Sequence, residues 1–229
     1  MSIADNLALI RERMAAAARR AGRAPEQVRL VAVSKRVPVA RIAEAVAAGQ
    51  NLFGENYLQE AKEKIALLPP ELTWHFIGHL QSNKAGEAAD LFAMLETVDS
   101  LKLARLLDRQ GEAAGRALPV LIQVNVGCEP QKAGVAPEAA EMLLREMAQC
   151  QHLQVRGLMT MPPFFDQPEA ARPFFRQLRL LSESFIAKRL LGLHGPVELS
   201  MGMSGDFEVA IEEGATLVRV GTALFGERN

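Results

Sequence analysis

Short apolar runs alternate along this chain with longer stretches in which apolar residues recur every three or four positions. The strand-length runs are "VRLVAVS", "NLFGE", "WHFIG", "AMLETVD", "PVLIQVNV", "VRGLMTM", "VELSMG" and "LVRVGT". Helical periodicity covers 39–48, 57–67, 83–89, 101–115, 137–149, 168–191 and 206–213 between them. A strand-then-helix repeat of this kind predicts βα units around a parallel sheet. Ile3, Leu7, Ile10 and Met14 add an amphipathic helix ahead of the first strand. The stretch "TMPPFFDQPEAARPFF" reads as a loop entering a long helix, with Asp166 or Gln167 near its cap.

Eight units in 229 residues fit a (β/α)8 TIM barrel, whose usual size is ~250 residues. A doubly wound open sheet is the alternative, because a strand count does not reveal closure. No Ser/Gly-rich linker, low-complexity tract or charge block divides the chain, so a single domain over 1–229 is expected.

In a barrel, function gathers where the strands end at their C-terminal side. Lys35 stands at the end of the first strand, and Glu55 and Asn56 at the end of the second. His75 and His79 go with the third, Asn125 with the fifth, and Met159 to Met161 with the sixth. Ser200 to Ser204 end the seventh, and Gly221 with Thr222 the eighth.

Charge narrows the partners. Lys+Arg 26 against Asp+Glu 27, a net charge of -1, gives no general affinity for nucleic acid or an anionic membrane. No apolar run is long enough to span a bilayer. Cys128 and Cys150 lack paired-motif spacing, and with no secretory segment they favour a reducing, cytoplasmic setting. Asp5 and Glu12 argue against reading the Arg-rich N-terminus as a transit peptide. No acidic residue between His75 and His79 completes a zinc-protease motif, and no metal centre is expected.

The C-terminal third, "ELSMGMSGDFEVAIEEGATLVRVGTALFGER", holds two corners rich in glycine and hydroxyls, after strands seven and eight. Glycine lets backbone N–H groups approach an anion, and barrels often place a phosphate site there. Simple turning of the chain is the alternative at each corner. Alternation puts Leu217, Arg219 and Gly221 on one face of the last strand. An arginine among apolar neighbours needs a partner. Either a structural ion pair, for instance with Glu198, or a role beside the phosphate corners would supply one. Lys35 facing an apolar mouth would become a nucleophilic amine suited to a Schiff base. Amine and phosphate cradle together suggest an aldehyde bearing a phosphate: pyridoxal 5′-phosphate, or a sugar phosphate in an aldolase.

Across its length the sequence resembles the YggS/PROSC family of pyridoxal phosphate homeostasis proteins. The resemblance is carried by "LVAVSK", "FGENYLQE", "WHFIGHLQSNK", "EPQKAG", "GLMTM", "LSMGMSGDFEVAI" and "VRVGTALFG". It implies a monomeric barrel like the N-terminal domain of alanine racemase, with pyridoxal phosphate held as a Schiff base on Lys35. It also implies Arg219 at the pyridine nitrogen, and Ser200, Gly221 and Thr222 on the phosphate. Backbone around Met201, Gly202 and Ser204 would assist, and Asn56 would sit beside the ring.

A buffering or delivery role follows, with apo pyridoxal-phosphate enzymes as recipients and weak or no turnover. Arginine cannot donate the proton that makes the ring a strong electron sink. The only tyrosine, Tyr57, reads as a helix-start residue, and the chain ends at Asn229, soon after strand eight. No second domain bearing an acid/base tyrosine is therefore expected. A racemase-like enzyme acting on a small amino acid is the alternative.

Overall fold

Eight parallel strands close into one barrel in chain order. The computed structural model describes residues 2–227, so the expected domain limits at Met1 and Asn229 lie outside the described residues. The strands are β1 (Arg29–Val33), β2 (Leu52–Glu55), β3 (Thr73–Phe76), β4 (Met94–Val98), β5 (Leu118–Gln123), β6 (Leu153–Met159), β7 (Glu198–Ser200) and β8 (Leu217–Val220). Helices α1 (Ile3–Arg20), α2 (Val39–Ala47), α3 (Leu58–Leu67), α4 (Ala85–Leu91) and α5 (Leu101–Ala113) occupy the first half. The second half adds α6 (Pro137–Met147), α7 (Arg172–Ala187), α8 (Phe207–Glu212) and α9 (Thr222–Phe225).

Two apolar layers follow from the alternation of strand side chains. Val218 and Val220 of β8 point outward into the main core beneath the helices, while Leu217 joins Val31, Leu52, Met94, Leu121 and Met159 in a separate cluster. Leu217 and its companions plug the barrel from within. The open sheet considered above is excluded by closure, because β8 pairs with β1 and sets Val31 beside Arg219. Strand one, which leads to Lys35, thus becomes the neighbour of the strand leading to Gly221 and Thr222.

The N-terminal helix is set by a capping box: Ser2 Oγ accepts from the Asp5 N–H at 3.1 Å, and Asp5 accepts from the Ser2 N–H at 3.0 Å. Such a cap contributes roughly 1 kcal/mol. The buried stripe Ile3, Leu7, Ile10, Met14, Ala17 and Ala18 packs toward α2, α8 and α9.

Boundaries moved where backbone geometry intervenes. The expected 168–191 helix begins as a 3₁₀ turn, Pro168–Ala171, and becomes α-helical at Arg172, with Pro173 in its first turn, where the missing N–H costs nothing. Gln167 takes the N-cap position of the turn, one of the two residues expected near the cap, without a side-chain bond. The helix stops short because Arg189 takes a left-handed conformation. Strand seven is only three residues long, since Gly202 turns left-handed at φ 91°. A Cβ at Gly202 would meet that of Ala210 at 2.5 Å. No helix among the described residues is long and apolar enough to cross a membrane.

Candidate functional site

At the C-terminal mouth of the barrel lies a cavity of about 280 Å³. Ligand pockets usually run from ~300 Å³ upward, so this one suits a single ring and a small substituent. Lys35, Asn56, Ile77, Arg219, Gly221 and Thr222 line it, with Met203 to Asp206 on one side and Met161, Phe164 and Phe165 above. A roomier cleft of about 450 Å³ opens at the other end of the barrel, beside α1. Two of its polar side chains are already engaged: Arg11 donates to the Gly49 carbonyl at 2.7 Å, and Gln50 Nε2 to the carbonyls of Leu30 and Leu52. Of these two cavities, among the described residues, the mouth is the one that gathers an amine, a guanidinium, hydroxyls and available amides.

Lys35 follows β1 in a turn closed by the Val37 N–H donating to the Ser34 carbonyl at 2.9 Å. Asn56 follows β2, and the chain after β3 runs so close beneath it that a Cβ on Gly78 would lie 2.2 Å from the Asn56 carbonyl oxygen. Glycine is required there. The Asn56 side-chain oxygen is buried and accepts no hydrogen bond. A buried acceptor of this kind costs stability unless something fills the role.

Arg219 projects into the barrel, 3 % exposed. Its Nη1 donates to Ser200 Oγ at 2.6 Å and its Nη2 to the Thr160 carbonyl at 2.8 Å. Ser200 Oγ in turn donates to Glu96 Oε2 at 2.5 Å, and His75 Nδ1 donates to Glu96 Oε1 at 2.7 Å. The ion pair with Glu198 considered above is not made. Glu198 lies near the N-terminal end of the barrel, bound to Arg29 at 2.6 Å and to Thr216 Oγ1 at 2.6 Å. The carboxylate that serves Arg219 is Glu96, through Ser200.

Burial pushes the Glu96 carboxyl up, but the His75 hydrogen bond, the His75 and Arg219 charges and the Ser200 hydroxyl outweigh it and leave it below 4.5. Burial pushes the Arg219 guanidinium down, against Glu96 and Asp206, which raise it. It stays cationic at any physiological pH.

A testable pH dependence follows from the lowered carboxyl. The stability it contributes is complete above the ordinary value of 4.5 and is lost as pH falls through the lowered folded value. Urea midpoints measured from pH 7 to 3 should show the gap between the wild-type protein and Glu96→Gln narrowing only below about pH 4.5. A gap that stays constant into acid would contradict this.

Opposite Lys35, two corners present donors. The Met203 N–H is taken by Asp206 Oδ1 at 2.6 Å and the Ala223 N–H by Ser204 Oγ at 3.3 Å. The amides of Ser204, Gly205, Gly221 and Thr222 donate to no group among the described residues. These N–H groups and the exposed Thr222 hydroxyl can serve an anion. Of the nine expected site residues, Lys35, Asn56, Ser204, Arg219, Gly221 and Thr222 line one cavity. Ser200, Met201 and Gly202 do not. The Ser200 hydroxyl is spent inside the barrel, Met201 is buried in the main core, and Gly202 supplies the turn and accepts the Arg219 N–H at 3.0 Å.

Sequence reading missed Glu96. A carboxylate inside "AMLETVD", an otherwise buried strand, was the available signal. His75 and His79 diverge, one to Glu96 and the other to the exposed surface. Lys132 of "EPQKAG" donates to the Pro162 carbonyl at 2.9 Å and meets Glu129, joining two rim loops. Both cysteines are free thiols.

Comparison with known proteins agrees with this geometry. Residues 6–229 match the family described as alanine racemase, N-terminal domain. A pyridoxal phosphate homeostasis protein of Pseudomonas aeruginosa is 47% identical over 100% of this chain and 96% of its own. One of Escherichia coli is 43% identical over 99% and 97%. The structure of PipY from Synechococcus elongatus with PLP bound superposes with a TM-score of 0.85 at 41% identity, covering 98% of this chain and all (100%) of that one.

Proposed function

The chain belongs to the pyridoxal phosphate homeostasis protein family, built on the alanine racemase N-terminal domain, and from that premise we propose that it binds pyridoxal 5′-phosphate at the barrel mouth and buffers or delivers it. The observation carrying this reading is the placement of Lys35 across one small cavity from Arg219 and from the unengaged amides of Ser204, Gly221 and Thr222. Lys35 supplies the amine. Its nitrogen adds to the aldehyde carbon, a C=N bond forms and the oxygen leaves as water, so no redox partner is needed. The amides and the Thr222 hydroxyl hold the phosphate. Asn56 offers its unengaged oxygen to a ring substituent.

Arg219, on the cavity wall, would face the ring nitrogen of bound cofactor and could only donate to it. Bound cofactor supplies an electron sink for carbanion chemistry, and a guanidinium at that nitrogen weakens the sink by opposing its protonation. Tyr57, the one tyrosine in the sequence, is half-exposed at the start of α3 and does not line the cavity. Holding and release fit this wall better than turnover. We read the protein as a cytoplasmic monomer of one domain, with apo pyridoxal-phosphate enzymes as recipients.

The purified protein should absorb near the visible range as a linked pyridoxal phosphate does. Borohydride should then fix a pyridoxyl mass on the peptide containing Lys35. Steady racemisation or transamination of offered amino acids would overturn the carrier reading in favour of an enzyme.

A further inference from the structure

Behind the Lys35 turn lies a second charged cluster that the binding chemistry does not touch. Lys64 of α3 is 5 % exposed, a rare state for a lysine. Its Nζ donates to the Ser34 carbonyl at 2.6 Å, to Glu55 Oε1 at 2.8 Å and to Glu60 Oε1 at 2.6 Å. All three ammonium hydrogens are thereby used. Ser34 Oγ donates to the same Glu55 oxygen at 2.7 Å, and the Arg36 N–H donates to the same Glu60 oxygen. The carbonyl just before Lys35 and the amide just after it are thus fixed by one cluster. Arg36 is held at φ 57°, a region that costs a non-glycine residue free energy.

Stability alone does not account for the arrangement. Glu55 Oε2 is buried and has no hydrogen-bond donor. Burial raises the Glu55 carboxyl against the opposing effects of Lys64 and Ser34. Apolar residues often replace a buried ion pair of this kind without loss. What an apolar replacement would not do is grip two successive peptide groups of the β1 turn from α3, the Ser34 carbonyl through Lys64 and the Arg36 N–H through Glu60.

We propose that Lys64, with Glu55 and Glu60, is a positioning clamp for Lys35, setting the direction from which its amine meets the aldehyde carbon. The clamp rests on the reading of Lys35 as the anchoring amine. It also ties the ends of β1 and β2 together, since Glu55 immediately precedes Asn56 on the cavity wall.

Lys64→Met and Glu60→Ala test it. Two quantities are measured on protein freed of cofactor: the rate at which the absorbance of linked pyridoxal phosphate grows, and the dissociation constant of 4′-deoxypyridoxine 5′-phosphate, which has ring and phosphate but no aldehyde. Lys64→Met should slow linkage on the order of 10-fold or more and Glu60→Ala severalfold, while the aldehyde-free analogue binds within about twofold of wild type. Restoring a positive charge and N–H donors with Lys64→Arg should recover part of the rate.

Unchanged linkage rates in folded variants would overturn the clamp. So would a parallel fall in rate, analogue affinity and melting temperature, because the cluster would then merely support the wall. If Lys64→Met does not fold, Glu60→Ala decides: its side chain is 25% exposed and its loss leaves Lys64 paired with Glu55. Failure of wild-type protein to carry a pyridoxyl mass at Lys35 would strike the anchoring reading itself, a result distinct from both.

Discussion

Lys35→Ala should abolish the borohydride-stable pyridoxyl mass and the absorbance of the linked cofactor, and should weaken retention of pyridoxal phosphate on the order of 100-fold, about 3 kcal/mol. The amides of Ser204, Gly205, Gly221 and Thr222 remain in the variant, so residual binding should persist and should be lost with phosphate-free pyridoxal. Lys35→Arg separates charge from nucleophilicity. It keeps a cation at the turn, yet a guanidinium stays protonated and does not condense with an aldehyde. Its behaviour should match that of the alanine variant in the trapping assay while binding the phosphate ester somewhat better. Equilibrium dialysis and peptide mass analysis measure both quantities. A pyridoxyl mass on another lysine in Lys35→Ala would move the anchor elsewhere.

Arg219→Met should be the most damaging single substitution for stability. It removes the guanidinium from the interior and leaves Glu96, 0 % exposed, with Ser200 and His75 as its remaining partners. Stranding one member of a buried charged network costs about 3–5 kcal/mol. The double variant Arg219→Met with Glu96→Gln takes out both charges and should recover a large part of that loss, so the two substitutions should be strongly non-additive. Urea denaturation of the four proteins in the cycle measures the coupling. Independent, additive losses would show that the Arg219–Ser200–Glu96 chain is not a single unit. Where the double variant folds, its bound cofactor should show a shifted spectrum, because the guanidinium no longer opposes a proton at the ring nitrogen.

The two sets of variants probe groups that were unequally legible in the sequence. Lys35 was readable because a buried run delivers a lysine at its end, and because the motif around it is long and specific. Arg219 was readable as an anomaly on the inward face of β8, but its partner was not. Glu198 is near in sequence to the seventh strand's end, yet its side chain leaves the barrel at the wrong level and meets Arg29. Glu96 lies 123 positions before Arg219, by subtraction of their residue numbers, and no local pattern connects them. The family resemblance implied Ser200 on the phosphate. The three-residue β7 instead turns that hydroxyl inward between Glu96 and Arg219.

Lys64 shows the same limit from another side. In the sequence it is one of the polar positions of an amphipathic helix, and such lysines normally reach water. Only the packing of α3 against the ends of β1 and β2 buries it under the Lys35 turn.

The sequence by itself determined the eight strand-then-helix units, the N-terminal helix, and the residue types needed for an amine and a phosphate. Those are local properties: periodicity, capping and glycine-permitted turns depend on neighbours within a few positions. Tertiary structure decided which of them meet. Closure of the barrel pairs β1 with β8, so residues separated by nearly the whole chain share one wall. It also encloses a buried interior, and there Arg219, Ser200, Glu96 and His75, with the Thr160 carbonyl, satisfy one another.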